Sequence, residues 1–168
     1  MYLVSSEHEI EAKKLEGCYK KLSEVLANTY GVPPPTVEFS WKLYTDFGAG
    51  ASYIFKKHII LVTYDTRPDE FAHEFKHYLQ DIVEGRDYEE EVYKAALEGK
   101  ILSRQEAWML PIEEDAEKFG SAYANMLEKE GKKSLGCSHI YYTHVLRDSF
   151  RKGEIPDFVI EVFKRRIE

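Results

Sequence analysis

Phe71-Ala72-His73-Glu74-Phe75-Lys76-His77 is the stretch on which the reading of this chain turns. It contains the pattern His-Glu-x-x-His. On a helix, residues four apart lie on one face. Both imidazoles can therefore reach one zinc ion, and Glu74 can lean toward a water bound to it. Two histidines and a water leave a tetrahedral site incomplete, so a third protein ligand is expected elsewhere in the chain.

The flanks of this stretch predict a helix. Thr66-Arg67-Pro68-Asp69 reads as its start, with Thr66 as cap, Pro68 in the first turn and Asp69 at the capping-box position. Phe71, Phe75, Tyr78 and Ile82 form an apolar stripe, while His73, His77 and Gln80 lie on another side. Such a helix packs on one face and presents imidazoles on the other. An exposed amphipathic helix with two solvated histidines is the plainer alternative.

Moving toward the N-terminus, residues 58–63 and 51–55 read as two short strands joined by a tight turn at Lys56-Lys57. Asp46-Phe47-Gly48-Ala49-Gly50 reads as a turn. Thr36 to Tyr44 alternates Val37, Phe39 and Trp41 against Thr36, Glu38 and Ser40, as a half-buried strand does. Residues 6–30 predict an amphipathic helix, with Ser6 and Glu9 as a capping box and Gly31 with Pro33-Pro34-Pro35 as its stop. His8-Glu9-Ile10-Glu11-Ala12 is a near miss for the metal motif, because Ala12 stands where the second histidine would be.

Beyond the motif the chain is strongly charged to Trp108, with a short helix expected over 88–97. Pro111 opens a helix to about residue 129, with Ala116, Phe119, Ala122, Tyr123 and Met126 as its buried stripe. Gly131 and Gly136 punctuate the tail. Two further helices are expected, over 139–152 and 157–167. The expected class is α+β in a single domain, residues 1–168: about 1–83 as an upper part ending in the motif helix, and 84–168 as a helical lower part and tail.

Three completions of the metal site can be tested against the sequence. One with Gly three and His six positions after the second His fails, since Gln80 and Val83 stand there. An aspartate ligand has no clear candidate. A glutamate on a later helix fits Pro111-Ile112-Glu113-Glu114-Asp115-Ala116-Glu117. Glu113 and Glu117 share a helix face, as a ligand and an orienting carboxylate would, and Glu114 lies about 100° away. Glu114 and Glu117 remain rivals of Glu113. An acidic helix start that merely favours the dipole is the plain alternative.

With these residues in view the chain resembles the gluzincins, zinc metallopeptidases with His-Glu-x-x-His and a downstream Glu that often stands in Glu-x-x-Ala-(Asp/Glu). Here that segment is Glu113-Glu114-Asp115-Ala116-Glu117. The resemblance covers about residues 6–126 and is greatest to the minimal archaeal gluzincins (minigluzincins). It implies a zincin-like fold and one zinc ion held by His73, His77 and Glu113. It also implies Glu74 as catalytic base, Glu117 as the acid orienting a ligand histidine, and a peptide or protein substrate. The family commonly supplies an oxyanion donor, His or Tyr, from beyond the third ligand. His139 and Tyr141 are the preferred candidates here, with Tyr142, His144 and Tyr123 behind them. The last strand before the motif helix, 58–63, is expected to receive an extended peptide along its edge, as zincins do.

Composition bounds the rest. The chain has 168 residues, a net charge of −7 and scattered basic residues, which argues against a nucleic-acid surface. No apolar run is long enough to span a membrane, and the start has no signal-peptide pattern, so a cytoplasmic protein is expected. Charged residues make up 32%, against two Asn and two Gln, a balance that leans toward a thermophilic source. Cys18 and Cys137 lack ligand spacing and read as small buried apolar residues, with a disulfide as the other option. Two functions stand at this point: a zinc-dependent peptidase, or a zinc-binding protein that is latent or holds peptide without cutting it. Retention of Glu74 favours the first, since a structural metal needs no base. Residues 139–168 carry apolar positions at helical spacing and are expected either to border the cleft or to enlarge the core.

Overall fold

A computed structural model describes residues 5–136 and 139–167, with 139–144 described by their backbone. The architecture is mixed α+β, mostly helical, with one three-stranded sheet. Helix α1 spans Ser6–Tyr30. Its cap is Ser5, one residue before the expected Ser6: the Ser5 hydroxyl accepts the His8 N–H at 3.2 Å. Gly31, at φ 67°, ends the helix in the left-handed conformation that a side chain would oppose.

The sheet contains β1 (Thr36–Phe39), β2 (Ala51–Ile54) and β3 (Ile59–Val62) in the order β1-β3-β2. β1 runs parallel to β3, with Val37 opposite Ile60, and β2 runs antiparallel to it, with Tyr53 opposite Ile60. This corrects the expectation for 58–63. β3 is paired on both sides, so it has no edge to offer a peptide. The edges belong to β1 and β2, and β2 is the one that lies along the motif helix. β1 also stops sooner than its alternation predicts. The Ser40 hydroxyl accepts the Leu43 N–H at 3.1 Å and starts a helical turn, Leu43–Phe47. Trp41 packs edge-on to Phe39 and Tyr64 instead of extending the strand. The β2–β3 turn holds Lys56 at φ 68° and His58 at φ 57°. Asp81 secures it, accepting both the Lys56 N–H and the Tyr53 hydroxyl at 2.7 Å.

α2 spans Pro68–Ile82 and carries the motif. Arg67, not Thr66, is its cap residue, and it makes no side-chain cap bond. The Thr66 hydroxyl is used elsewhere: it accepts the Thr63 N–H at 2.8 Å and donates to the Gly50 carbonyl. A short helix, α3 (Tyr88–Leu97), and a 3-10 turn, Arg104–Met109, lead to α4 (Pro111–Leu135). α4 runs past the expected end to Gly136 at φ 62°, with Gly131 buried inside it, not breaking it. α4 lies close along α2 at Gly120, where a Cβ would stand 3.0 Å from the Asp69 carbonyl oxygen and 3.1 Å from His73 Cβ.

α5 (His139–Arg151) and α6 (Asp157–Phe163) complete the chain. α6 stops at Phe163, short of the expected 167, because the residues after it are drawn away. Arg165 O accepts the Tyr123 hydroxyl at 2.8 Å, and the Ile167 N–H bonds Tyr30 Oη at 2.9 Å. The main core gathers Tyr19, Phe71, Phe75, Tyr123, Phe150 and Phe163, all fully buried, so the described apolar residues of α5 and α6 enlarge it. A second cluster, Val92, Ala95, Ile101, Ala107, Leu110 and Ile112, lies under α3. Cys18 is a buried free thiol, and Cys137 lies outside the described residues. Among the described residues no helix is long and apolar enough to cross a membrane.

Candidate metal centre

The periodicity of α2 fixes what its two faces do. Phe71, Phe75 and Tyr78 sink into the main core, which turns His73 and His77 toward the start of α4. There Glu113 meets both. His77 Nε2 is 2.9 Å from Glu113 Oε1, and His73 Nε2 is 3.3 Å from Glu113 Oε2. One ligand atom from each of the three residues lies within 4.8 Å of the others, so this group could hold a metal ion. The rivals of Glu113 have other partners. Glu114 is exposed and pairs with Lys118 at 2.9 Å, and Glu117 sits 3.2 Å from His73 Nδ1.

The second nitrogen of each imidazole is occupied. His77 Nδ1 is 2.7 Å from Gln80 Oε1, and the Gln80 amide donates to the Ile112 carbonyl at 2.8 Å. Gln80 is 0% exposed, so both bonds are shielded from water. With acceptors at both Nδ1 atoms, a proton is drawn to each of them, which leaves Nε2 of each ring as the atom that bonds Glu113 or, once it carries no proton, a metal ion. The donor set, two imidazole nitrogens and a carboxylate, is one that suits a borderline divalent cation. The electrostatics agree. Burial would raise the Glu113 carboxyl, but the bonds from His73 and His77 outweigh it and hold Glu113 well below the usual range. Burial works to lower His73, but the Glu113 bond and the charges of Glu74, Glu113 and Glu117 together outweigh it, so His73 is raised. Positive charge is thus favoured where the three side chains converge.

Glu74 lies beside this group, and its Oε2 accepts the Tyr53 N–H at 2.8 Å. That N–H is on the free edge of β2, turned away from β3. Burial raises the Glu74 carboxyl against the pull of His77 and His73. Two lobes of one cleft share His73 and Glu74. The first, about 460 Å3, runs past Ser52–Phe55, His77, Tyr88, Arg104 and Glu113. The second, about 250 Å3, runs past Gly50, Ala51, Asp69, Glu70, Glu117 and Gly120.

The candidate donors divide. Tyr123 is fully buried and bonds Tyr30 and the Arg165 carbonyl, away from the cleft. The side chains of His139, Tyr141, Tyr142 and His144 lie outside the described residues. Tyr88 carries no signal of its own in the sequence, yet its ring stands 5.8 Å from His77 and 5.4 Å from Phe55, and it lines the same lobe as Glu113. Burial, then Glu113, pushes that phenol up. Tyr88 follows Asp87, the helix cap, in a charged run, and only the fold brings it to His77. Gln80 shares the histidine side of the α2 wheel, a signal that could have marked it. No protein-family model, curated protein or solved structure matches this chain.

Proposed function

We propose that the chain is a zinc-dependent metallopeptidase of the gluzincin type, with a zincin-like arrangement of sheet, motif helix and ligand helix. The observation that carries this reading is the convergence of His73 Nε2, His77 Nε2 and the Glu113 carboxylate beside the buried carboxyl of Glu74. His73, His77 and Glu113 would hold the ion, with Gln80 and Glu117 orienting the two imidazoles. Zinc held there supplies Lewis acidity, acidifying a water and polarising a peptide carbonyl.

Glu74 takes a proton from water and returns it to the leaving amine. Burial raises its pKa, which suits a group that must both accept and release a proton near neutrality. The free edge of β2 offers backbone groups to an extended peptide, beginning with the Tyr53 N–H that Glu74 now holds. Tyr88, which lines the lobe beside His77 and Glu113, supplies the donor for the developing oxyanion. A second reading, a zinc protein that holds peptide without cutting it, draws on the bond between Tyr53 N–H and Glu74, which engages the base. Metal analysis tests the ligand set: wild type should carry one zinc per chain, and His73→Ala and Glu113→Ala should lose it. Full zinc occupancy in Glu113→Ala would sink the assignment.

A further inference from the structure

Leu102, Trp108 and Met109 stand in water, at 90%, 71% and 58% exposed. Leu102 precedes the 3-10 turn Arg104–Met109, and the other two close it. The apolar demand of this segment is met without them, since Ile101, Ala107 and Leu110 bury against Val92, Ala95 and Ile112. A concentration of large apolar side chains on a charged protein marks an interaction site, and Trp and Met are enriched at such sites. Arg104, the first residue of the turn, lines the cleft lobe that contains His77, Glu113, Phe55 and Tyr88. A 3-10 turn rises about 2 Å per residue, so Trp108 stands within roughly 10 Å of Arg104. The exposed residues thus flank, within one short segment, the residue by which that segment walls the lobe.

The chemistry of the lip and the lobe selects the occupant. The lobe is walled by the aromatic rings of Phe55 and Tyr88 and by the free backbone edge of β2. At its mouth Arg104 and Glu89 neutralise each other, so neither sign of charge is favoured. An edge strand needs an extended backbone, and an apolar lip needs exposed apolar side chains. A folded protein hides both, and an unfolded segment offers both. We infer that Leu102, Trp108 and Met109 are an accessory docking lip that takes an extended apolar segment of an unfolded polypeptide beside the metal centre. This rests on the peptidase reading for its consequence, cleavage of the bound chain.

The test compares the zinc-loaded wild type with the triple variant Leu102→Ser, Trp108→Ser and Met109→Ser. The probes are labelled, reduced and carboxymethylated ribonuclease A, which stays unfolded and has no tryptophan of its own, and a short quenched peptide that fills only the cleft. The variant should lose about tenfold in kcat/KM on the long probe, through KM, and less than about twofold on the short one. An equal loss on both probes, or none on either, would overturn the inference. So would a wild-type dimer that the variant dissolves, or binding to phosphatidylcholine vesicles that the variant abolishes. If the variant does not fold, the wild type still decides. The chain has two tryptophans, and Trp41 is packed against Phe39 and Tyr64. Acrylamide quenching of Trp108 should fall when the long probe binds, and undiminished quenching contradicts the lip. If neither probe is cut while the long one binds wild type and not the variant, by anisotropy, the lip stands and the peptidase reading falls.

Discussion

The main core and the smaller cluster under α3 are held by different forces. The main core is built of large rings and aliphatics with no exposure to water, among them Tyr19, Phe71, Phe75 and Tyr123. The smaller cluster has only Val92, Ala95, Ile101, Ala107, Leu110 and Ile112, and much of its attachment is ionic. Arg86 bridges Glu91 and Asp115, each at 2.8 Å, and Lys56 reaches Asp87 at 2.6 Å. The three residues that could hold a metal ion stand on the seam. His73 and His77 ride a helix rooted in the first region, and Glu113 directly follows Ile112 of the second. The difference teaches that global stability and the shape of the cleft wall are separable here.

Four substitutions can break or sharpen that division. Phe75→Ala empties a fully buried site of the main core and should cost about 3–5 kcal/mol, read as a fall in the denaturant midpoint. Next is Gly120→Ala, whose Cβ would meet the Asp69 carbonyl oxygen at 3.0 Å and His73 Cβ at 3.1 Å. Forcing α4 off α2 should cost about 1–3 kcal/mol and weaken zinc binding with it. A variant with unchanged stability and zinc affinity would show that the helices part freely. Gln80→Leu strands the His77 Nδ1–H and the Ile112 carbonyl. It should lower zinc affinity about 10–100-fold by titration against a competing chelator.

Arg86→Ala should have the smallest global effect, under about 1 kcal/mol, because the ion pairs it removes are partly solvated. Its signature is local. Amide exchange over residues 84–98 should quicken while the main core keeps its protection. A loss of stability as large as that of Phe75→Ala would show the two regions to be one.

Much of the main core was legible in the sequence because its signals are local. The stripe Phe71, Phe75, Tyr78 and the i, i+4 histidines both follow from one helical period, and Glu113 and Glu117 from another. What was hidden depends on partners far along the chain. The apolar run in residues 58–63 says nothing of strand order, and only the parallel pairing of β1 with β3 makes β3 central. Thr66 looks like a cap until the Gly50 carbonyl is brought beside it. Tyr88 meets the His77 ring, and Gln80 the Ile112 carbonyl, only once the charged segment folds back onto α2.

The central claim is that a metal-bound site at His73, His77 and Glu113 works through Glu74 as base. It is tested most directly by cleavage of a quenched peptide by zinc-loaded wild type and zinc-loaded Glu74→Gln, side by side. The substitution keeps the size and the Tyr53 contact but removes the base. Wild type should cleave, and the variant should be slower by about 10²–10⁴-fold with its zinc retained. Equal rates in the two proteins would contradict the account.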